Sequence, residues 1–282
     1  MAELLDGKRV SKIVRDNIKK EVAKLDDIPC LHAILIGDNQ ASAIYVRTKS
    51  NTCERLGMES EKTHLPADVS QDYLEDLINN LNNSSVVDGI LVQFPLPDHI
   101  NTSKVMDMVH PLKDVDGFNS VNIAKMYKGE KCLEPCTPRG IIHLLDHYNI
   151  PIEGQKVTIV GRSVLVGKPL QIMMTNRNAT VTLCHSRTKN LEYEIKNADI
   201  LVAAVGKPNW IKGDMIKEGA VIIDVGINKV EDDSEKGYRI VGDIDKDAYE
   251  RASYITPVPG GVGMMTVAML MQNTLDAYFM QN

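Results

Sequence analysis

The chain has 282 residues, of which 43% are hydrophobic and 25% are charged, the balance of a soluble globular protein. Its formal net charge of −6 argues against nucleic acid as a partner, because duplex binding normally needs a basic surface. No stretch approaches the roughly 20 apolar residues of a membrane span, and the N-terminal MAELLDGKRV lacks the apolar core of a signal peptide. Five cysteines without a CxxC pair indicate reduced thiols, so we expect a cytoplasmic protein with no membrane partner.

The first half of the chain alternates helical and strand patterns. Apolar spacing predicts a helix over residues 11–25 and a strand over residues 31–37. A second helix follows to about residue 56, with Asp38, Asn39 and Ser42 as candidate N-caps. The sequence then predicts a helix over residues 71–83 and a strand within VVDGILVQFPLP. Uninterrupted apolar runs such as LHAILI are typical of parallel strands that are covered on both faces.

The second half repeats this rhythm. Strands are predicted over residues 157–160, 180–184, 200–205 and 221–225, with helices over residues 168–177 and 191–197. This order predicts a doubly wound parallel sheet. Residues 114–138 carry few periodic signals and are interpreted as the crossover between domains, while a last helix from about Met265 packs back onto the first domain. The fold class is therefore α/β with two domains, residues 1–138 plus 265–282 and residues 139–264.

The stretch VTIVGRSVLVGKPL resembles a strand that leads into a phosphate-binding turn. Gly161 lies where the strand gives way to a helix, whose first N–H groups can bind an anion. The GxGxxG spacing is missing, so the glycines alone favour a ligand site and a plain turn equally. The next strand ends in CHSRT without an acidic residue, and Arg162 and Arg187 suit a 2′-phosphate. The two strands together favour NADP over NAD.

Candidate chemical groups in the first domain are weak signals one by one. Tyr45 and Lys49 lie one helical turn apart, a spacing that more often describes an ordinary half-exposed surface. Gln93 ends a buried strand, where ligands of open α/β sheets bind, although its amide could simply bond a neighbouring loop. Asp116 precedes a glycine and could form an Asx turn.

Other polar patterns are interpreted as structural. His143 and His147 have the spacing of a zinc helix but lack the glutamate of HExxH, so no metal site is expected. The stretch GDIDKD, residues 242–247, lacks the glycine and final glutamate of a calcium loop and is interpreted as a turn that caps a helix. The stretch EDDSEKG, residues 231–237, is predicted to be a solvated hairpin or loop tip.

A set of long motifs spans the chain in order: YVRTK, GILVQFPLP, PLKDVDGF, PCTPRG, VGRSVLVGKP, ADILVAAVGKP, IIDVGIN and TPVPGGVGMMTVAML. This set resembles the bifunctional methylenetetrahydrofolate dehydrogenase/methenyltetrahydrofolate cyclohydrolase family. The resemblance implies an N-terminal folate-binding catalytic domain and a Rossmann-like NADP-binding domain. It also implies tetrahydrofolate derivatives as substrates, NADP as cofactor and a homodimer.

The resemblance assigns roles to individual residues. Lys49 corresponds to the catalytic lysine, Tyr45 to an aromatic that stacks on the folate, Gln93 to the amide that tunes the lysine, and Asp116 to the carboxylate that anchors the pterin. Burial of Lys49 should favour its neutral form, since desolvation penalises the charge. The implied cofactor contacts are Gly161, Arg162, Ser163, Ser186, Arg187 and Ile227. The implied further folate contacts are Pro259, Gly260 and Gly261.

Two positions depart from the family pattern, and two other functions remain in view. Asn51 stands where the family often has a second lysine, and Met264 stands where it often has proline. An alternative enzyme is another NADP-dependent dehydrogenase with two domains, of the amino-acid or shikimate type. A non-enzymatic nucleotide-sensing module is disfavoured because Lys49 and Gln93 are both present.

Overall fold

The structure is a computed structural model that describes residues 2–235 and 237–282. It divides into two compact units, each built from two chain segments. The six-stranded unit comprises Met1–Ser11 and Thr137–Thr266, and the three-stranded unit comprises Lys12–Cys136 and Val267–Asn282.

The elements up to residue 147 are β1 (Glu3–Leu4), α1 (Gly7–Val22), β2 (Cys30–Ile36), α2 (Gln40–Arg55), β3 (Glu59–Leu65), α3 (Gln71–Asn83), β4 (Gly89–Val92), α4 (Thr102–Met108), α5 (Ser120–Lys128) and α6 (Cys136–His147). They are followed by β5 (Lys156–Val160), α7 (Gly167–Asn176), β6 (Thr180–Cys184), α8 (Leu191–Lys196), β7 (Ile200–Ala203), β8 (Val221–Asp224), β9 (Asn228–Glu231), β10 (Tyr238–Val241), β11 (Tyr254–Ile255) and α9 (Val262–Gln281). Short 3-10 helices cover Gly213–Met215 and Lys246–Glu250.

The three-stranded unit is built on a parallel sheet in the order β3-β2-β4. Every residue of the central strand β2 is buried, as its continuous apolar run predicts. Strand β3 is missing from the sequence prediction because its residues, ESEKTHL, are largely polar and exposed, as befits an edge strand. Helices α3 and α4 cover this sheet through a core that includes Leu74, Ile78 and Val105.

The six-stranded unit contains a wholly parallel sheet in the order β1-β11-β8-β7-β5-β6, so the predicted doubly wound sheet is present. Its register pairs Val160 with both Cys184 and Ala203, and Ala203 with Asp224. The carboxyl ends of β5, β6, β7 and β8 therefore lie along one edge. Ligands of such sheets bind beyond this edge.

Two further regions differ from the sequence prediction. Strand β1 pairs with β11, which places the first residues in the six-stranded sheet, whereas the sequence assigned them to the first domain. A two-residue strand is too short to show a hydrophobic period, and its partner lies about 250 residues away along the chain. The crossover predicted over residues 114–138 contains the regular helix α5, which Asn119 caps through Val121 N–H.

Among the described residues, no helix has both the length and the apolar character needed to cross a membrane.

Candidate active site

Lys49 is a buried lysine on α2. Asn39 caps this helix by accepting a hydrogen bond from Ser42 N–H, which selects one of the three predicted caps. Lys49 is only 7% exposed, and its Nζ donates to Oε1 of Gln93 at 3.0 Å. The structure therefore brings together two residues that lie 44 positions apart in the sequence.

Gln93 uses both ends of its amide. Its backbone N–H donates to Ile34 O at 2.9 Å, which extends the pairing of β4 with β2 by one residue. Its side-chain Nε2 donates to Phe94 O at 2.7 Å, so Oε1 is the end that faces Lys49. The amide therefore bonds its own loop, as the structural interpretation predicts, and also contacts the lysine.

Asp116 lines a small cavity in the three-stranded unit. The cavity lies against β4 and α4, and its other walls are Ile90, Val92, Phe94, Val105, Met106, Val109, Asp114 and Phe118. Phe94 and Phe118 meet edge to face with ring centroids 6.1 Å apart. Burial raises the pKa of Asp116, and the positive charge of Lys49 opposes that shift. Asp116 is therefore close enough to Lys49 to feel its charge, and it shares its small cavity with two aromatic rings.

Asp114 makes the side-chain hydrogen bonds to backbone in this loop, where an Asx turn of Asp116 was the structural interpretation. The carboxylate of Asp114 accepts from the N–H of Gly117 at 3.1 Å, from the N–H of Asn119 at 2.8 Å and from Nδ2 of Asn122 at 3.0 Å. These bonds fix the loop on both sides of Asp116, which leaves the Asp116 carboxyl directed to the cavity. Asp114 is a residue that the sequence analysis missed, although the DxD pattern of KDVDG contains it.

Tyr45 lies one turn before Lys49 on α2 and is 38% exposed. Burial of its hydroxyl raises the pKa of Tyr45, so the phenol stays neutral at physiological pH. The ring is half open to solvent, as a residue that stacks on a planar ligand has to be.

The predicted cofactor residues converge at one edge of the six-stranded sheet. Gly161, Arg162 and Ser163 follow β5, Ser186 and Arg187 follow β6, and Ile227 follows β8. Because the register aligns the ends of these strands, the three loops extend from the same edge of the sheet, with β7 between β8 and β5. The side chains of Arg162, Ser163, Ser186, Arg187 and Ile227 are exposed.

The loop after β5 is shaped by glycine. Gly161 has a φ of 128°, and a Cβ there would lie 2.2 Å from Ala204 O. A Cβ at Gly167 would lie 1.8 Å from Gly161 O, so α7 begins in direct backbone contact with the loop. Ser163 closes the turn, since its Oγ accepts from Val166 N–H at 3.1 Å and its carbonyl from Lys168 N–H at 3.1 Å. Such a glycine cradle at a helix N-terminus fits a pyrophosphate, although the GxGxxG spacing is absent.

Pro259, Gly260 and Gly261 follow β11 and so extend from the same edge of the six-stranded sheet. Gly260 O accepts from Lys8 N–H at 2.9 Å, and a Cβ at Gly261 would lie 2.6 Å from Pro257 O. The loop is therefore held by backbone contacts within itself and with α1. Lys49, Gln93, Asp116 and Tyr45 belong to the three-stranded unit.

The fold and these two groups of residues define a class of protein, an α/β protein with a nucleotide-binding parallel sheet and a separate lysine–carboxylate site. The NAD(P)-binding domain of the tetrahydrofolate dehydrogenase/cyclohydrolase family matches residues 135–282, and the catalytic domain of the same family matches residues 5–116. The chain belongs to the tetrahydrofolate dehydrogenase/cyclohydrolase family. The resemblance stated from the motifs, the fold class and the enzyme class are confirmed.

Full-length relatives support this assignment. The chain is 51% identical over 280 residues to the "Bifunctional protein FolD" of Moorella thermoacetica, covering 98% of both sequences. It resembles the crystal structure of the bifunctional methylenetetrahydrofolate dehydrogenase/cyclohydrolase of Campylobacter jejuni, with a TM-score of 0.96, 42% identity and 100% of each chain covered. The enzyme of Trypanosoma brucei, crystallised with NADP cofactor and an inhibitor, gives a TM-score of 0.94 at 36% identity, covering 99% of this chain and 98% of that one.

The alternative enzyme class shares the fold and little else. A shikimate 5-dehydrogenase from Thermus thermophilus gives a TM-score of 0.51 at 13% identity, covering 87% of this chain. A likeness of this size indicates a common architecture, and function resides in the site rather than the fold.

Proposed function

We propose that the chain oxidises methylenetetrahydrofolate to methenyltetrahydrofolate with NADP and then hydrolyses that product to formyltetrahydrofolate. The observation that carries this function is the buried Lys49 amine held by Gln93 beside the cavity that Asp116 lines. Family membership supplies the reaction class, and this group of residues supplies the chemistry.

The hydrolysis step requires a group that takes and returns a proton. Water adds to the methenyl carbon, and one of its protons passes to the side-chain nitrogen of Lys49. The carbon–nitrogen bond then breaks as the added hydroxyl oxygen forms the formyl C=O and releases its proton to solvent, and the protonated lysine returns the first proton to the nitrogen that leaves. Gln93 accepts a hydrogen bond from the lysine nitrogen throughout, which holds the nitrogen in one place while the proton moves.

Substrate binding is assigned to Asp116 and Tyr45. Asp116 offers a carboxyl acceptor to the N–H donors of the pterin, and Phe94 and Phe118 line the same small cavity as Asp116. Tyr45 presents a half-exposed ring to the remainder of the folate. Pro259, Gly260 and Gly261 are proposed as further folate contacts.

The cofactor site is assigned to the carboxyl edge of the six-stranded sheet. NADP, when bound, accepts the hydride from the methylene carbon. Gly161 and Ser163 receive the pyrophosphate, and Ile227 contacts the nucleotide from the loop after β8. Arg162, Ser186 and Arg187 supply charge and hydrogen bonds to the 2′-phosphate, which favours NADP over NAD.

We further propose that the protein is a cytoplasmic homodimer. All five cysteines are free thiols, as in proteins of a reducing compartment. The homodimer is proposed from the family resemblance. Light scattering should give twice the chain mass of 31.3 kDa for such a dimer. A monomer at micromolar concentration would contradict the dimer and leave the activity untouched.

The function is tested with the wild-type enzyme. Methenyltetrahydrofolate should form from methylenetetrahydrofolate with NADP, and it should be hydrolysed in a separate assay without nucleotide. Calorimetry should give tighter binding of NADP than of NAD. Oxidation of shikimate together with inertness toward folates would overturn the assignment.

A further inference from the structure

Asp243 is a fully buried carboxylate within GDIDKD, the stretch that the sequence analysis interpreted as a turn. Its exposed fraction is 0%. Its Oδ2 accepts from the N–H of Val205 at 2.7 Å and of Gly206 at 3.0 Å. Its Oδ1 accepts from Lys207 N–H at 2.8 Å and from Nδ2 of Asn228 at 2.9 Å. A carboxylate is the side chain that can satisfy this many donors at once.

A second buried carboxylate holds Asp243 in place. Asp224, the last residue of β8, accepts from the N–H of Asp243 and of Ile244, both at 2.9 Å. The fit is reciprocal, because a Cβ at Gly242 would lie 1.8 Å from Asp224 Oδ2 and one at Gly226 would lie 2.4 Å from Asp243 Oδ1. Each aspartate thus packs against a glycine next to the other.

The donors to Asp243 all come from the carboxyl edge of the sheet. Residues 205–207 follow β7, and Asn228 stands directly after Ile227, one of the proposed cofactor contacts. The backbone carbonyl of Asp243 extends the same contact, since it accepts from Trp210 N–H at 2.8 Å and Ile211 N–H at 3.0 Å. One residue therefore fixes the loop after β7 and the start of β9 together.

We propose that Asp243 is a positioning residue for the nicotinamide nucleotide, acting through the loop after β7 and through Asn228 beside Ile227. The proposal rests on the cofactor site assigned above. Lys49, the proposed proton carrier, belongs to the other unit. Its loss should weaken the oxidation reaction, which needs the nucleotide, and spare the hydrolysis, which does not.

The test uses the full-length Asp243→Asn enzyme. An asparagine keeps the shape but replaces one acceptor oxygen by an NH2 group that faces N–H donors. We expect the KM for NADP to rise about tenfold or more, with the KM for methylenetetrahydrofolate changed less than about twofold. The nucleotide-free cyclohydrolase rate should stay within about twofold of wild type. Asp214→Asn, an exposed change on the same unit, is the control and should match wild type.

The alternative outcomes separate this proposal from the function itself. A folded Asp243→Asn enzyme that loses both activities in parallel, or keeps its KM for NADP, overturns the positioning role while the wild-type assay still establishes the function. If Asp243→Asn does not fold, Asn228→Ala decides, because it removes one donor and keeps the carboxylate. A rise of about threefold or more in the KM for NADP with normal hydrolysis supports the proposal, and no change in the KM contradicts it.

Discussion

At the scale of single residues, the Gln93 amide holds the side-chain nitrogen of Lys49 in position. Its NH2 group is occupied by Phe94 O, so its carbonyl is the group that faces the lysine. A carbonyl accepts a hydrogen bond from either the ammonium or the amine, so it holds the nitrogen without fixing its proton count. The motifs identified both residues, but the orientation of the amide depends on a backbone carbonyl whose position only the fold determines.

Asp116 should control folate affinity rather than the chemical step. We expect Asp116→Ala to raise the KM for the folate substrate of both reactions by about tenfold or more, with a smaller effect on the KM for NADP. Because burial raises the pKa of Asp116, the wild-type KM for folate should also increase as the pH falls and the carboxylate is protonated. Steady-state kinetics between pH 5 and pH 8 check both effects. A KM for folate that does not change with pH would show that the Asp116 carboxylate does not bind the substrate.

At the scale of elements, the start of α7 depends on the absence of a side chain at Gly167. A Cβ in Gly167→Ala would lie 1.8 Å from Gly161 O and must push the loop away from the helix. We expect NADP affinity in calorimetry to fall more than about tenfold while hydrolysis persists. Thr175→Ala, an exposed change at the far end of α7, is the matched control. Unchanged NADP affinity in Gly167→Ala would show that this loop does not receive the pyrophosphate.

Helix α9 holds the Asp116 loop through Asn273. This residue is 0% exposed, and its Nδ2 donates to Val115 O at 2.7 Å and to Glu134 O at 2.8 Å. Asn273→Ala removes this donor from two carbonyls, so we expect a loss of about 2 kcal/mol in stability and a higher KM for folate. Thermal unfolding and kinetics measure the two effects. Gln272→Ala, which removes a bond to Asp276, should cost less than about 0.5 kcal/mol, and equal losses in the two variants would contradict the anchoring role.

Elements with a strong period or a clear cap were predictable, and short or long-range features were not. Strand β6 covers the residues predicted for it, and α2 begins at a predicted cap. Strand β3 was not predicted because its exposed polar residues resemble those of a loop. The role of Asp243 was not predicted for another reason. Its backbone donors lie 36 to 38 residues away, and the stretch GDIDKD contains no local pattern that indicates them.

At the scale of the whole molecule, both units are discontinuous in the sequence. The return of the C-terminal segment was predicted from the helix after the glycine-rich loop, and the three-stranded unit does include Val267–Asn282. The membership of Met1–Ser11 in the other unit depends on the pairing of β1 with β11. Pairing between such distant, short strands is set by tertiary structure and leaves no local signature.

The stability of the molecule should carry a pH dependence from buried acids. Burial raises the pKa of Asp114 from 3.8 to about 6, against the opposing hydrogen bond from Asn119. Between those values the folded protein binds a proton that the unfolded chain has released. This stabilisation is complete below about pH 4 and is lost as the pH rises through 6.

From pH 5 to pH 7, the free energy of unfolding of the wild type should therefore fall by about 1 kcal/mol more than that of Asp114→Asn, which cannot titrate. Urea denaturation at the two pH values measures the difference. Parallel pH profiles would show that Asp114 is ionised in the folded protein throughout this range.

The central claim is that Lys49 moves the proton in hydrolysis, and the paired assay of Lys49→Met tests it most directly. The cyclohydrolase rate should fall by about 10² to 10⁴. NADP-dependent oxidation should fall far less, because hydride transfer needs no proton carrier. Lys49→Arg should be similarly impaired in hydrolysis, since a guanidinium stays charged, and Lys20→Met, an exposed change on α1, should match wild type. Hydrolysis of methenyltetrahydrofolate at the wild-type rate by Lys49→Met would contradict the account.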